Sequence, residues 1–207
     1  MTRIVAGRFG GRRIAVPPSG TRPTSDRARE GLFSTLGSLL VGFDGIAVLD
    51  LYAGSGAVGL EAWSRGAARV VLVESSPRAV EVLRANVASL QTDAGAGTGT
   101  DDGTGTGAVV TVVASKVESA VREILSPSGF DLVFADPPYA LASSELAAVI
   151  ETVCNRGLLA AGAIIAVERG SRESWNWPEG IEPLRERRYG DAQVWYGSGT
   201  VAPPGHS

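Results

Sequence analysis

A buried strand, a glycine turn and the start of a helix follow one another between residues 46 and 59. The run 46–51 is apolar except for Asp50, and Gly54, Gly56 and Gly59 come after it with the spacing G-x-G-x-x-G. This arrangement is typical of the first half of a βαβ unit, because parallel neighbouring strands need a helical crossover. We therefore expect a mainly parallel sheet.

The rest of the chain alternates strand and helix patterns. Strands are predicted at 70–74, 109–114, 132–135 and 163–168, with an antiparallel pair at 183–189 and 192–196, and helices from Ser25 or Asp26, from Ser76-Pro77 to about 90, at 117–125 and at 146–154. The pattern predicts an α/β fold: a Rossmann-like, doubly wound, mostly parallel seven-stranded sheet with an antiparallel C-terminal strand pair and an N-terminal β-hairpin arm.

Composition divides the 207 residues into three parts. We expect a basic hairpin arm over 1–20, one α/β domain over 21–197, and a disordered tail over 198–207. Within the domain, 92–108 holds six glycines and no aromatic residue, which predicts a flexible loop at the amino-end edge of the sheet. A hydrophobic content of 44% suffices for one core, and a monomer is expected.

The single cysteine and single histidine exclude several chemistries. Cys154 can form no internal disulfide and follows an amphipathic run, so a buried thiol is expected and methylation at a pyrimidine carbon, which needs a cysteine nucleophile, is disfavoured. With His206 as its one histidine, the chain lacks the residues for a Ser-His-Asp triad or a His/Cys metal site. No membrane span or secretory segment is recognisable, so a cytoplasmic protein without a metal is expected.

Asp50 separates two possible ligands of the glycine turn. Glu74, at the end of the next predicted strand, completes a nicotinamide dinucleotide fingerprint. A carboxylate just ahead of Gly54 repels pyrophosphate, however, whereas it suits the ammonium and sulfonium of S-adenosylmethionine. Asp50 would face the methionine amino group and Glu74 the ribose hydroxyls. The alternatives are a nicotinamide oxidoreductase, a Rossmann-like RNA-binding module without activity, and a turn that binds nothing.

The segment Asp136-Pro137-Pro138-Tyr139 follows a buried strand. An exocyclic base amine is a poor nucleophile because its lone pair is delocalised, and two preset acceptors can hold it for attack. The Asp136 carboxylate and the Pro137 carbonyl would accept its hydrogens, while Tyr139 stacks on the base. The segment predicts amine methylation and does not name the base, which leaves guanine in RNA and adenine or cytosine in DNA. An ordinary Asp-Pro-Pro turn is the alternative.

Four polar residues occur at the ends of predicted strands: Asp50, Glu74, Ser115 and Asp136. In a doubly wound fold, ligands bind beyond the carboxyl ends of the strands. We therefore expect these four side chains to line one site.

Positive charge is concentrated in the first thirty residues. They contain seven arginines against Asp26 and Glu30, a local net charge of +5 in a chain whose net charge is −3. A hairpin with a primed turn is predicted around Gly10-Gly11. It could lie along RNA phosphates while its apolar face packs on the domain, or its charges could simply protect an edge from aggregation. The arginines expected to contact RNA are Arg3, Arg8, Arg12, Arg13 and Arg27.

Taken together, these stretches resemble the RsmD-type family, bacterial methyltransferases that act on the N2 of a guanine in small-subunit ribosomal RNA. The matching stretches are 3–7, Arg22-Pro23-Thr24, 26–30, 50–59, 136–139 and Tyr189-Gly190. The resemblance implies methylation of 16S ribosomal RNA, either free or within a small ribosomal subunit.

The resemblance and the strand-end pattern together give the expected cofactor residues. They are Asp50, Tyr52, Gly54, Ser55, Gly56, Glu74, Ser75, Ser115, Arg22 and Thr24. The chain departs from the family pattern twice. Ser115 stands near the position where many members carry an aspartate for the adenine amine, and Asp191-Ala192 replaces the usual pair after Tyr189-Gly190, so that turn is expected to be structural.

Overall fold

The structure, a computed structural model, describes residues 1–17, 26–96, 108–126, 128–171 and 173–199. In chain order the elements are β1 (Thr2–Arg3), β2 (Arg13–Ile14), α1 (Asp26–Leu40), β3 (Ala47–Leu51), α2 (Ala57–Ser64), β4 (Arg69–Glu74), α3 (Pro77–Ala96), β5 (Val109–Ala114), α4 (Val117–Glu123), β6 (Phe130–Ala135), α5 (Ser143–Asn155), β7 (Leu159–Gly170), β8 (Ile181–Tyr189) and β9 (Ala192–Gly199).

Seven strands form one sheet in the order β5-β4-β3-β6-β7-β9-β8. The first five run parallel to one another, and β9 runs antiparallel to both β7 and β8. Strands β1 and β2 pair separately as a short antiparallel hairpin. The predicted fold class, the seven strands and the C-terminal antiparallel pair are confirmed.

Two apolar clusters cover the two faces of the sheet. Val48 and Leu49 are neighbours on β3 and belong to different clusters, because successive strand residues point to opposite faces. Helices α1 to α3 and the N-terminal segment pack on one face, while α4 and α5 pack on the other. Cys154 is half-buried against the second cluster, and this burial raises the pKa of its thiol. The result is a three-layer architecture.

The N-terminal hairpin forms, but the prediction of a primed turn at Gly10-Gly11 was wrong. The chain between β1 and β2 makes a wider loop, with Gly7 and Gly11 at φ of 80° and 83°. Packing explains the difference: Phe9 inserts into the core, and a Cβ on Gly7 would lie 2.0 Å from the carbonyl oxygen of Ser64. The loop is shaped by its contact with α2.

Two of the other boundaries that differ from the sequence prediction affect the expected loop and tail. Helix α3 continues to Ala96, so the first residues of the predicted loop 92–108 are helical, and each added residue contributes one more backbone hydrogen bond. Strand β9 extends to Gly199, which places the beginning of the predicted tail in the sheet. The remainders of that loop and tail, 97–107 and 200–207, lie outside the described residues. No helix in the described ranges is long and apolar enough to cross a membrane.

Candidate active site

The strand register brings the four predicted residues to one edge of the sheet. Asp50 is the fourth residue of β3, Glu74 ends β4, and Ser115 and Asp136 follow β5 and β6. These strands are adjacent in the order β5-β4-β3-β6. The predicted convergence is therefore present, while the roles of these residues stay predictions.

The turn after β3 uses three left-handed backbone conformations. Tyr52, Gly54 and Gly56 have φ of 61°, 56° and 80°. Glycine adopts this region at little cost, whereas a tyrosine there is uncommon and marks local strain. The amide of Gly56 donates to the carbonyl of Ala53 at 2.7 Å, and α2 begins immediately afterwards. The first two glycines of the motif are thus required by the backbone path.

Gly59 allows α2 to lie close against the sheet. A Cβ at this position would be 2.3 Å from the Leu72 side chain and 3.1 Å from Oδ2 of Asp50. The amide of Gly59 donates to the same Oδ2 at 2.9 Å. The third glycine of the motif therefore serves close packing and fixes the orientation of Asp50.

Asp50 is a buried carboxyl group surrounded by other acids. It is 2% exposed. Burial raises the pKa of Asp50 to about 7, with a smaller rise from the negative charges of Asp136 and Glu74 and an opposing effect of the Gly59 hydrogen bond. A cationic ligand at this edge would offset both the cost of a buried negative charge and the repulsion from the other two acids. The arrangement therefore fits a ligand that carries an ammonium and a sulfonium.

Glu74 is held by three backbone amides. Its Oε2 accepts from Gly54 at 2.8 Å, and its Oε1 accepts from Ser75 at 2.8 Å and Ser76 at 2.7 Å. A carboxylate offers about four acceptor sites. The two ribose contacts expected from the sequence therefore require at least one of these amides to give way.

The segment after β6 presents two acceptors and an aromatic ring. Burial raises the pKa of Asp136 to about 6, and the positive charge of Arg169 opposes this rise. Among the described residues, no donor bonds the Asp136 carboxylate or the Pro137 carbonyl, whereas the Pro138 carbonyl accepts from Leu141 at 2.9 Å. Tyr139 is 69% exposed. Both acceptors assigned to the base amine are thus without a hydrogen-bond donor among the described residues, and the ring assigned to stacking is exposed.

A cavity of about 540 Å³ lies beside this segment, between the ends of β4 to β6 and helices α4 and α5. Its lining combines expected residues with others that the sequence did not indicate: Tyr52, Ser75, Lys116, Val117, Glu118, Pro138, Leu141, Glu145 and Ala148. Lys116 and Glu118 follow the strand-end residue Ser115 in the chain. This position is the sequence feature that could have indicated them as site residues. Burial, followed by the charges of Glu118 and Glu145, raises the pKa of the Tyr52 hydroxyl.

The predicted RNA-contacting arginines are exposed on the N-terminal segment and α1. Arg3 pairs with Asp26 at 2.9 Å. The guanidinium of Arg8 lies 4.7 Å from the ring centres of both Phe9 and Trp63. The other three are Arg12, Arg13 and Arg27. The expected cofactor residues Arg22 and Thr24 lie outside the described residues.

Arg29, in the stretch 26–30 that matches the family, is buried at 1% exposure. Its guanidinium contacts Thr2, Asp26 and the carbonyl of Arg3. Arg29 therefore attaches the hairpin to α1.

Two further polar side chains attach the hairpin to the domain. The buried Glu61 accepts the amides of Val5 and Ala6 at 2.6 and 3.0 Å. Asn86 of α3 bonds both backbone groups of Ala15, at 2.9 and 3.0 Å, and donates to the Ser55 carbonyl at 2.9 Å. Asn86 thus joins the exit of the hairpin to the glycine turn.

The sheet order, the glycine turn after β3 and the acidic residue at the end of β4 define a class I methyltransferase fold. A family model described as conserved hypothetical protein 95 matches residues 2–198. The chain belongs to this family, the RsmD-type methyltransferases.

Named relatives agree with this assignment. The ribosomal RNA small subunit methyltransferase D of Escherichia coli (strain K12) is 37% identical over 167 residues, which cover 80% of this chain and 73% of the relative. That of Haemophilus influenzae is 30% identical over 189 residues, covering 91% and 89%. A solved structure of a putative methyltransferase, yhhF from Escherichia coli, superposes with a TM-score of 0.75 at 30% identity and covers 97% of this chain and 99% of its own.

Proposed function

We propose that this protein methylates the exocyclic N2 amine of a guanine in small-subunit (16S) ribosomal RNA, with S-adenosylmethionine as the methyl donor. The observation that carries the proposal is the pair of unoccupied acceptors, Asp136 and the Pro137 carbonyl, beside the exposed ring of Tyr139. Relatives named as ribosomal RNA small subunit methyltransferases support the choice of RNA.

The negative charge and the cavity at this edge of the sheet fit the cofactor. Asp50 would hold the ammonium, Glu74 the ribose, and the cavity next to Ser75 and Lys116 the adenine. The cofactor supplies a methyl group that its sulfonium already activates, so a prior deprotonation of the amine is unnecessary.

The protein's own contribution is positioning. Asp136 and the Pro137 carbonyl accept the two amine hydrogens and hold the nitrogen so that its lone pair can leave conjugation with the ring. Tyr139 keeps the base flat by stacking. Asp136 or water takes the proton that the methylated nitrogen loses. No step in this scheme requires a metal ion.

The exposed arginines of the N-terminal segment are the proposed contact for RNA phosphates. The side chains of Arg13 and Arg27 have no hydrogen-bond or ion-pair partner among the described residues. Their guanidinium groups therefore need not exchange an existing ion pair for a phosphate. Arg3 would first have to leave Asp26. Phosphate contacts of this kind orient the RNA without reading its sequence.

The test is to incubate the protein with labelled S-adenosylmethionine and, separately, small-subunit RNA, assembled small-subunit particles and DNA. Mass spectrometry of the nucleosides then identifies the product. We expect N2-methylguanosine in RNA or in particles. Methylated adenine or cytosine in DNA would overturn the RNA assignment, and failure of every substrate together with tight NADH binding would overturn methyl transfer itself.

A further inference from the structure

Arg169 ties the segment that follows β6 to the neighbouring strand. It lies near the end of β7 and is buried at 6% exposure. Its Nη2 donates to the carbonyl of Leu141 at 2.8 Å and pairs with the carboxylate of Glu173. The amide of Leu141 in turn closes a turn onto Pro138 at 2.9 Å. One buried cation therefore holds the far end of the segment that carries the proposed amine acceptors.

The remaining hydrogen-bonding capacity of Arg169 is not used by the described residues. Its Nε and Nη1 are shielded from solvent and have no partner there. Unpaired buried donors are costly, and native structures contain few of them. The contacts with Leu141 and Glu173 use Nη2 alone. The other two nitrogens, Nε and Nη1, therefore call for an explanation.

Charged groups on the strands beside β6 act on Asp136. Asp50 on β3 is a negative neighbour, and Glu74 on β4 acts on Asp50 in turn. Arg169 on β7 is the positive neighbour, and it also pairs with Glu173. Within the described residues, Arg169 is the cation that opposes protonation of Asp136.

We infer that Arg169 is a positioning residue of the proposed methyl-transfer site: it anchors the 136–141 segment through Leu141, and its positive charge favours the ionised Asp136 carboxylate, so that both carboxylate oxygens remain acceptors. The inference rests on the proposed function. Without this cation, burial and the charge of Asp50 favour a protonated Asp136, and a protonated carboxyl donates from one oxygen and loses part of its grip on an amine.

Two substitutions alter this charge in opposite directions. Arg169→Met removes the cation and keeps the length of the side chain. Glu173→Gln removes the counter-charge, while its amide oxygen can still accept from the amide of Gly170, now at 3.3 Å. Glu173 has a side-chain exposure of 31%, so this variant is expected to fold.

The primary measurement is the titration of the Asp136 carboxyl by NMR of ¹³C-labelled aspartate in the ligand-free protein, with Asp136→Asn identifying the resonance. We expect the midpoint to rise by about one pH unit in Arg169→Met and to fall by a smaller amount in Glu173→Gln. The acid limb of kcat for methyl transfer should move in the same two directions, with cofactor affinity unchanged within about twofold.

Unchanged midpoints in both variants would overturn the inference, because a purely structural Arg169 lowers activity equally at every pH. If Arg169→Met fails to fold, Glu173→Gln decides alone: a lowered midpoint supports the role and an unchanged one overturns it. The NMR titration needs no RNA product. A wild-type protein that methylates nothing therefore overturns the proposed function. The titration still tests whether Arg169 acts on Asp136.

Discussion

The amide of Gly59 donates a 2.9 Å hydrogen bond to the buried carboxylate of Asp50, so the glycine motif orients the acid that precedes it. That acid has a pKa raised from 3.8 to about 7. The folded protein thus binds this proton more tightly than the unfolded chain does. The resulting stabilisation is complete below about pH 4 and is lost as the pH rises through about 7.

Asp50→Asn should consequently be more stable, relative to the wild type, at pH 8 than at pH 5 in the ligand-free protein. The amide oxygen can still accept from Gly59, and the cost of a buried charge is gone. We expect the free energy of unfolding, variant minus wild type, to be about 1–4 kcal/mol more favourable at pH 8 than at pH 5. Urea unfolding at the two pH values measures it. Asp44→Asn, at an exposed loop position, is the control and should show no such difference.

Cofactor binding should release a proton near pH 7, because a cationic ligand next to Asp50 favours its ionised form. Calorimetry in two buffers of different ionisation enthalpy measures this release as a difference in binding heat. The wild type should show the difference, and Asp50→Asn should show much less of it and bind more weakly. Heats that do not depend on the buffer in the wild type would argue against an ammonium beside Asp50.

Asp136→Ala should abolish methyl transfer and leave cofactor binding in place, since it removes one of the two proposed acceptors. Asp136→Asn should keep part of the activity because its amide oxygen still accepts one hydrogen. Transfer rates, with cofactor affinity as the control, distinguish the two. Equal losses in both variants would contradict the acceptor role.

Replacing charges is a sharper test of RNA contact than deleting the hairpin. Residues 1–16 include Ile4 and Ile14, exposed at 0% and 2%, so deletion would disturb the core as well as the RNA contact. The double variant Arg13→Ala/Arg27→Ala should weaken RNA binding and reduce the slope of log affinity against log salt by about one to two. Cofactor affinity should stay unchanged.

A control that removes the same charge is available on the opposite face of the sheet. Arg122 and Arg156 belong to the α4–α5 side and are also exposed. Their double alanine variant removes the same charge. If it changes the salt slope as much as Arg13→Ala/Arg27→Ala does, the N-terminal surface has no special role.

Gly31→Ala should destabilise the fold by about 1–3 kcal/mol. A Cβ at Gly31 would lie 2.6 Å from the ring of Tyr189, whose hydroxyl bonds the Gly31 carbonyl at 3.1 Å, Thr35 at 2.8 Å and Tyr196 at 3.0 Å. Gly37→Ala is the control on the same helix: its Cβ would meet only Phe43, at 3.4 Å. That variant should be neutral or more stable, because alanine favours a helix over glycine. Thermal unfolding compares the two.

The sequence by itself determined the order of the strands and helices and the edge on which the site residues lie. Period-two and helical patterns are local, and parallel strands bring their carboxyl ends together, so Asp50, Glu74, Ser115 and Asp136 could be predicted to converge. The structural nature of the Tyr189-Gly190 turn also followed, since that tyrosine bonds α1.

Only the tertiary structure decided how charges and loops are arranged between elements distant in the chain. Arg29 looks like a surface residue on its helix, yet its contacts are with β1. Arg169 bonds Leu141 and acts electrostatically on Asp136 only because β7 pairs with β6. The hairpin loop follows the surface of α2 rather than its own turn residues. Packing across the sheet and the field of neighbouring strands depend on three-dimensional proximity, which local sequence patterns do not encode.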